Sequence, residues 1–216
     1  MKTKKIVFAA ACVLAACLFA AHEFLLNFHP ETLAARNVIK FFISAIPLCL
    51  AAAAWKSKKS AFALFMALGF LACWLGDIVI NISLYVSIAL YLVGHSLFIR
   101  GFFCCKRPRA FQFALWGVLL LAIWGGIIFV SQVSLPLKIA GCVYAAFMSA
   151  MVAFSFCGPL VFCAGGIIFG ISDILLMLNM VLQTERGWPH ILSLGTYYIG
   201  VMLMSGNLFL SEQQSA

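Results

Sequence analysis

Charge is what this sequence has least of. Only 9% of its 216 residues are charged, and aspartate and glutamate together number six. In a typical soluble domain about a quarter of the residues are charged and about half are apolar. Here 65% are apolar, which is more than a water-soluble chain of this length can cover. The scarcity of charge therefore excludes a soluble globular domain and predicts an integral membrane protein.

Several motifs of soluble enzymes and binding proteins are missing as well. The nine cysteines include no C-x-x-C pair and lie almost entirely in apolar runs, so neither a zinc site nor a disulfide framework is predicted. G-x-S-x-G and phosphate-binding glycine loops are absent. The net charge of +8 comes from short basic clusters between apolar runs, which is typical of membrane topology signals. We therefore expect no metal, no cofactor and no nucleic-acid partner.

What the sequence has in abundance is apolar runs about 20 residues long, the length that crosses a bilayer as a helix. Eight such runs fill residues 1–216 and leave only short loops, so a separate soluble domain has no room. We predict an all-α fold, a single transmembrane domain built as a bundle of eight helices. The predicted helices cover residues 6–28, 33–54, 60–82, 84–104, 110–131, 135–156, 159–182 and 190–210.

Lysine and arginine cluster in alternate loops. One cluster precedes the first helix, one follows the second and one follows the fourth, while the other loops hold few basic residues. Basic loops stay on the cytoplasmic side, so both termini are predicted to be cytoplasmic and the protein to lie in the cell (inner) membrane. The first cluster and run resemble a secretory signal, but seven more runs follow, so a first membrane helix is the interpretation here.

Two short stretches of the chain echo each other. Gly76-Asp77-Ile78 lies in the third predicted helix and Ser172-Asp173-Ile174 in the seventh. The two aspartates are four helices apart, on helices that run in the same direction, which suits a parallel four-plus-four repeat. We therefore predict a possible internal repeat, with chance convergence as the alternative.

Ionisable side chains within apolar runs are costly and so indicate function. Counted at a rise of about 1.5 Å per residue, the buried ionisable and phenolic groups of six helices fall in one slab, in the middle to outer half of the membrane. These groups are Lys40, Asp77, His95, Tyr144, Asp173, Tyr197 and Tyr198. One polar pocket centred on the two aspartates is the prediction.

The helical faces agree with such a pocket. Asn81 stands one turn beyond Asp77, and Gly166 and Gly170 form a G-x-x-x-G stripe that Asp173 continues. Small residues let helices approach closely, so Asp173 is expected to face a neighbouring helix. The alternative for the aspartates is a purely structural bond to a lysine or histidine, and for the tyrosines it is packing and interface anchoring.

Two buried carboxylates close together favour one protonated and one ionised form. Such a pair can donate a proton and stabilise a cation, as in the cleavage of an acetal-like C–O bond through an oxocarbenium ion.

At these residues the chain resembles the YhhN family of membrane proteins, which includes the lysoplasmalogenases. The elements G-D, G-H and F-x-x-S-D, in this order, carry the resemblance, and this chain has Val201 where the family usually has glutamine. The matching stretches are KFFISAIP (40–47), LGDIVI (75–80), LYLVGHSLF (90–98), GGIIFGISDIL (165–175) and TYY (196–198).

This resemblance implies an eight-helix, cofactor-free hydrolase that acts on the vinyl ether bond of lysoplasmalogens. The products are a fatty aldehyde and a glycerophospho-alcohol. One of Asp77 and Asp173 is expected to be the acid, while the other orients water and stabilises the cation. Lys40 is the candidate for the lysophospholipid phosphate, and polar lining is expected from Asn81, His95, Tyr144 and Tyr198.

Two other classes of protein remain open from the sequence. A small proton-coupled transporter or lipid-binding protein suits parallel repeats and midplane carboxylates. A structural membrane protein needs the aspartates only to hold helices together. A hydrolase works in detergent without a gradient, whereas a transporter needs a sealed vesicle.

Overall fold

The computed structural model describes residues 2–29, 31–129, 134–182 and 188–211, with the backbone alone for residues 180–182. All regular structure in these ranges is helical, and each helix is long and apolar enough to span a membrane. The helices are α1 Lys2–Phe28, α2 Leu33–Lys58, α3 Ala61–Val79, α4 Leu84–Cys105, α5 Ala110–Phe129, α6 Leu135–Ser155, α7 Leu160–Leu182 and α8 Trp188–Leu210. The eight-helix, all-α prediction is confirmed. Residues 130 and 131, the end of the predicted fifth helix, lie outside the described residues.

Three helix ends differ from the predicted ends by more than two residues, because the helix is longer or shorter than its apolar run. α1 begins at Lys2 rather than at residue 6, and α2 continues to Lys58 rather than to residue 54. Both extensions carry basic residues, which hydropathy alone assigns to loops. Lys59 then ends α2 in the left-handed conformation (φ 54°), with its N–H bonded to the Trp55 oxygen at 2.8 Å.

α3 is shorter than predicted. It ends at Val79 rather than at residue 82, because residues 80–82 form a turn. Ser83 follows in an extended conformation and accepts a hydrogen bond from the Val86 N–H, which starts α4. Asn81, the polar residue of the turn, therefore lies beyond the helix that carries Asp77.

Six of the helices form a closed ring. In the order α2, α3, α4, α6, α7 and α8, each helix packs on the next and the last returns to the first. α1 packs outside this ring on α2 and α8, and α5 packs outside it on α6. α5 buries one residue, Gln112, whereas α7 lies in the ring.

The two halves of the chain share a spacing. On α3 and α7 a glycine stands eight residues before the aspartate, and on α4 and α8 a serine is followed by tyrosine after four residues and glycine after seven. The pairs are Gly69/Gly165, Asp77/Asp173, Ser87/Ser193, Tyr91/Tyr197 and Gly94/Gly200.

The paired serines also bond alike. Ser87 Oγ donates to the Gly76 backbone oxygen at 3.0 Å, and Ser193 Oγ donates to the Ser172 backbone oxygen at 3.3 Å. Each acceptor belongs to the residue before an aspartate. These contacts favour the internal repeat, which stays a prediction.

Glycines bring the paired helices together. A Cβ on Gly200 of α8 would lie 2.9 Å from both the Gly165 oxygen and the Phe169 nitrogen of α7. A Cβ on Gly94 of α4 would lie 2.8 Å from Cys73 Sγ of α3. Because small residues allow close helix contact, α3–α4 and α7–α8 form two closely packed pairs.

The basic clusters meet at one end of the bundle, called here the basic end. Lys4 Nζ lies 5.8 Å from the centre of the Phe209 ring, which places the start of α1 beside the end of α8. Lys58 Nζ donates to Ser211 Oγ at 2.6 Å, which adds the end of α2. Rings near the end of α4 and the starts of α3 and α7 pack together as well, namely Phe62, Phe102 and Phe162.

Candidate functional site

Asp77 lies near the end of α3 that is opposite the basic end, and its side chain is held by three other helices. Its carboxyl group is buried, with 4% of the residue exposed. Tyr91 of α4 donates to Oδ1 at 2.5 Å, and Tyr197 of α8 donates to Oδ2 at 2.9 Å. Lys40 Nζ of α2 lies 3.7 Å from Oδ1. Both oxygens thus act as acceptors beside an ammonium group.

Asp173 lies near the middle of α7 and is equally buried. His95 of α4, which has no exposed surface, places Nε2 3.5 Å from Asp173 Oδ2 and 3.1 Å from the Tyr144 hydroxyl of α6. Gly170, on the same stripe of α7, abuts Val152 of α6. The prediction that Asp173 faces neighbouring helices is confirmed.

Two buried atoms of this second group have no hydrogen-bond partner among the described residues. They are Asp173 Oδ2 and His95 Nδ1. A buried polar atom without a partner costs free energy, and its persistence is typical of a functional site. Asp173 thus has His95 beside one of its oxygens, whereas Asp77 accepts a hydrogen bond at each oxygen.

Aromatic and polar side chains join the two aspartates. The Tyr91 and Tyr144 rings meet edge to face at 6.4 Å, and Tyr144 lies within electrostatic range of both carboxylates. Phe169 packs against His95 and against Tyr197, with ring centres 5.3 Å apart in each case. The result is one polar cluster enclosed by aromatic rings in the centre of the helix ring.

A cavity of about 380 Å³ reaches this cluster from the side, between α2 and α3. Lys40 and Asp77 contribute its polar groups, and the rest of the lining is largely apolar. Its lining residues are Asn37, Val38, Lys40, Phe41, Phe42, Asp77 and Ile78. Asp77 is therefore the aspartate that a ligand in this cavity meets first.

Five of the residues singled out from the sequence come together in this cluster: Lys40, Asp77, His95, Tyr144 and Asp173. The other two lie apart from the carboxylates. Tyr198 turns its hydroxyl to Ser44 Oγ at 3.4 Å and its ring to Phe19.

Asn81 does not continue the helical face of Asp77, so that expectation is wrong. The reason is that α3 ends at Val79 and Asn81 stands in the following turn. Its amide donates to Asn37 Oδ1 at 2.8 Å, and both asparagines are exposed at the rim of the cavity. Its part in substrate binding stays a prediction.

Sequence reasoning gave Tyr91 and Tyr197 no role in the site, although Tyr197 belonged to the predicted slab and both bond directly to Asp77. A signal for Tyr91 was available, since it stands one turn before His95 on the same helical face. For Tyr197 the sequence signal was weaker, because the adjacent Tyr198 is also a tyrosine and the sequence does not distinguish the two. In the structure both are buried. Neighbouring residues differ by about 100° around a helix, and the sequence alone does not fix that rotation.

A second polar group, on α1 and α8, was also missed. His22 Nδ1 and His190 Nδ1 lie 3.1 and 3.5 Å from Glu23 Oε1, and the histidine rings stack. Nowhere in the described ranges do three or more His, Cys, Asp or Glu side chains form a group able to hold a metal ion. This group is a buried contact between α1 and α8.

The comparisons with known proteins agree with the motifs quoted above. The model of the YhhN family matches residues 38–208, a range that contains the whole polar cluster. No curated protein and no solved structure matches the chain. Since the matched range covers most of the sequence, this chain belongs to the YhhN family.

Proposed function

We propose that the protein hydrolyses the vinyl ether bond of lysoplasmalogen-type ether lipids in the membrane. The products are a fatty aldehyde and a glycerophospho-alcohol, and no cofactor takes part. The proposal extends the family membership, which covers residues 38–208, to a specific reaction.

One observation carries the proposal: two buried aspartates share a single polar cluster inside an apolar bundle. Asp77 has two phenol donors and an ammonium group around it, while Asp173 has a histidine and an oxygen without a partner. Carboxylates in unlike surroundings divide into a proton donor and an ionised partner. The proximity of His95 Nε2 to Asp173 Oδ2, at 3.5 Å, supports a role for this pair in proton transfer.

The unlike surroundings support an assignment of roles. Asp77, with both oxygens accepting hydrogen bonds, is placed to stabilise a nearby cation. Asp173, beside His95, is the proton donor. Acid catalysis of this kind contributes typically about 10²–10⁴-fold in rate.

In the first step, the vinyl group passes beyond Asp77 into the polar cluster, because Asp173 does not line the cavity. Asp173 then transfers its proton to the vinyl carbon that is not bonded to oxygen. The C=C electron pair forms the new C–H bond, and the neighbouring carbon and ether oxygen share the positive charge of an oxocarbenium ion. Asp77 stabilises that charge and orients a water molecule. His95 contacts Asp173 at 3.5 Å and is placed to return the proton to it.

In the second step, water adds to the carbon bonded to oxygen and loses a proton, which passes through His95 back to Asp173. The hemiacetal that results breaks its bond to the glycerol oxygen, and its hydroxyl proton goes to that leaving oxygen. One vinyl ether and one water thus give one aldehyde and one alcohol. Lys40 is placed to hold the phosphate, since its ammonium group lines the cavity beside Asp77.

The location in the membrane follows from the basic end. Basic loops stay in the cytoplasm, so the basic end and both termini are assigned to the cytoplasmic side of the cell membrane. The polar cluster then lies toward the outer half of the bilayer. The partners on this proposal are a lysophospholipid substrate and the bilayer itself.

The deciding experiment is aldehyde release from a lysoplasmalogen by purified protein in detergent. Release without any gradient is expected from the wild type. The matched substrate control is the saturated alkyl ether with the same headgroup and chain, which has no vinyl group to protonate and stays intact.

One outcome would distinguish a proton-coupled carrier from the hydrolase. No release in detergent, together with uptake of lipid into sealed vesicles, would contradict the hydrolase and favour a proton-coupled carrier.

The control variant is Glu31→Gln, because Glu31 is an exposed acidic residue away from the cluster. That variant should release aldehyde at the wild-type rate.

A further inference from the structure

The cavity between α2 and α3 opens toward the lipid rather than toward an end of the bundle. Val38 is 56% exposed and Phe42 is 54% exposed, and both line the cavity together with Ile78. In a helix that spans the membrane, exposed apolar side chains of this kind face hydrocarbon. The carboxyl group of Asp77, 4% exposed, lies at the inner end of this side opening.

One hydrogen bond on each side limits the length of the opening between α2 and α3. At its rim, Asn81 Nδ2 donates to Asn37 Oδ1 at 2.8 Å, at the end of the bundle opposite the basic end. Toward the basic end, Trp74 Nε1 donates to the Phe41 backbone oxygen at 3.1 Å, and the two rings pack at 4.9 Å. The opening is therefore a short slot.

The slot has the polarity of a single-chain phospholipid. Asn37, to which Asn81 is bonded, lies at the rim, and Lys40 lies one turn below it. The apolar walls begin at the same level. A lysolipid placed with its headgroup at the rim has its phosphate beside Lys40. Three glycerol carbons separate the vinyl ether oxygen from the phosphate-bearing oxygen. The vinyl ether then lies beside Asp77, because Lys40 Nζ and Asp77 Oδ1 are 3.7 Å apart.

The size of the slot limits how much of the lipid it holds. At roughly 30 Å³ for a group the size of a liquid water molecule, a cavity of about 380 Å³ holds about a dozen such groups. That suffices for the glycerophosphate and the vinyl ether and not for a long alkenyl chain. The rest of the chain must remain outside the cavity.

We propose that the substrate reaches Asp77 sideways from the bilayer, through the slot between α2 and α3, and is cleaved while most of its chain stays in the lipid. The substrate class rests on the proposed function, whereas the route does not. The groove between α5 and α6 is the natural comparison, because it also has exposed apolar walls and one lysine, Lys138, and contains no aspartate.

The test uses photolabelling, so that binding is read independently of catalysis. The probe is a saturated alkyl-ether lysophospholipid with a diazirine in the chain, added to the full-length protein in nanodiscs. Crosslinks are expected on Val38, Phe42 and Ile78. Crosslinks confined to the α5–α6 groove, or spread evenly over all helices, would overturn the route.

A matched pair of variants adds a kinetic arm. Val38→Trp fills the slot, and Val143→Trp fills the α5–α6 groove, which that residue lines. Misplacing a substrate by about 1 Å can cost on the order of 10²-fold in rate, so Val38→Trp should lower kcat/KM and slot labelling by roughly tenfold or more. Val143→Trp should leave both unchanged, and equal loss in both variants would contradict the proposal.

The two arms distinguish the route from the reaction. Slot labelling without aldehyde release from any vinyl ether lipid would refute the hydrolase and leave sideways access standing. Aldehyde release with labelling elsewhere, and with a fully active Val38→Trp, would refute the route and leave the hydrolase standing. Thermal unfolding of both tryptophan variants shows whether each is folded.

Discussion

Asp77 and Asp173 hold matching places in the two halves of the chain, but their surroundings differ. Asp77 lies near the end of α3, beside a lipid-facing cavity, with two tyrosine hydroxyls on its oxygens. Asp173 lies in the middle of α7, enclosed by α4 and α6, with one oxygen lacking a partner. Two helices that share a residue spacing therefore place their carboxyl groups in different surroundings.

The difference arises from few residues. Four residues after the paired tyrosines, α4 has His95 and α8 has Val201. Both tyrosines, Tyr91 and Tyr197, bond to Asp77, so the first aspartate gains a donor from each half. The surroundings of the two aspartates therefore differ because His95 contacts Asp173, while both tyrosines bond to Asp77.

The largest effect is expected from removing either carboxylate. Asp173→Asn removes the proposed proton donor and should lower aldehyde release by roughly 10²–10⁴-fold, with loss of the solvent deuterium isotope effect. Asp77→Asn should also lose activity, because the cation then lacks its countercharge. Full activity in both variants would refute the mechanism, and an inactive Asp77→Asn beside a fully active Asp173→Asn would reverse the assignment.

The tyrosines test whether both halves serve Asp77. Tyr91→Phe and Tyr197→Phe each remove one donor to a buried carboxylate, a loss of about 1–3 kcal/mol, or roughly 5- to 150-fold in kcat. Tyr198→Phe is the matched control, since that hydroxyl faces Ser44 at 3.4 Å, and it should stay near the wild-type rate. A larger loss in Tyr198→Phe than in Tyr197→Phe would show that the roles of these neighbours are exchanged.

Gly200 and Gly94 differ in the atoms that an added Cβ would contact, which are backbone atoms for Gly200 and a side-chain sulfur first for Gly94. Gly200→Ala places Cβ 2.9 Å from two backbone atoms of α7, whereas Gly94→Ala meets the thiol of Cys73 first, which can turn aside. Overpacking costs typically about 1–3 kcal/mol, and we expect Gly200→Ala to be the more destabilising of the two in thermal unfolding. Gly125→Ala, with nothing within 4 Å, is the neutral control.

The smallest effect concerns the paired serines. Ser87→Ala and Ser193→Ala each remove one hydrogen bond between helices, a loss of about 0.6 kcal/mol in membrane proteins. Nearly equal shifts in Tm are expected if the halves are true repeats. Clearly unequal shifts would show that the shared spacing does not extend to energetics.

Much of the fold was accessible from the sequence, because the bilayer allows few solutions. Apolar runs of spanning length predict the helices, and all but a few of the observed ends agree with them within two residues. Charges at Asp77 and Asp173 mark the site, since an aspartate inside a span is costly.

What the sequence could not supply is which helices are neighbours. α4 packs on α6, and α2 packs on α8. Hydropathy does not predict these pairings. The bonds from Tyr197 to Asp77 and from His95 to Asp173 both depend on them. The same limit hid the contact of Glu23 with His190, which lie far apart in the chain.

The apolarity of α7 has a consequence for how the protein is made. An aspartate at the centre of a span costs about 2.5–3.5 kcal/mol during insertion by the translocon, while each Leu, Ile, Phe or Val returns about 0.3–0.6 kcal/mol. α7 carries Asp173 near its middle, and the mean hydropathy of its most apolar 18 residues, 2.2, is the highest such value among the described helices. That surplus allows the segment to leave the translocon before His95 and Tyr144 surround its carboxyl group. Polar substitutions on the lipid-facing side of α7 should therefore reduce the yield of inserted protein without altering the pocket of those molecules that do insert.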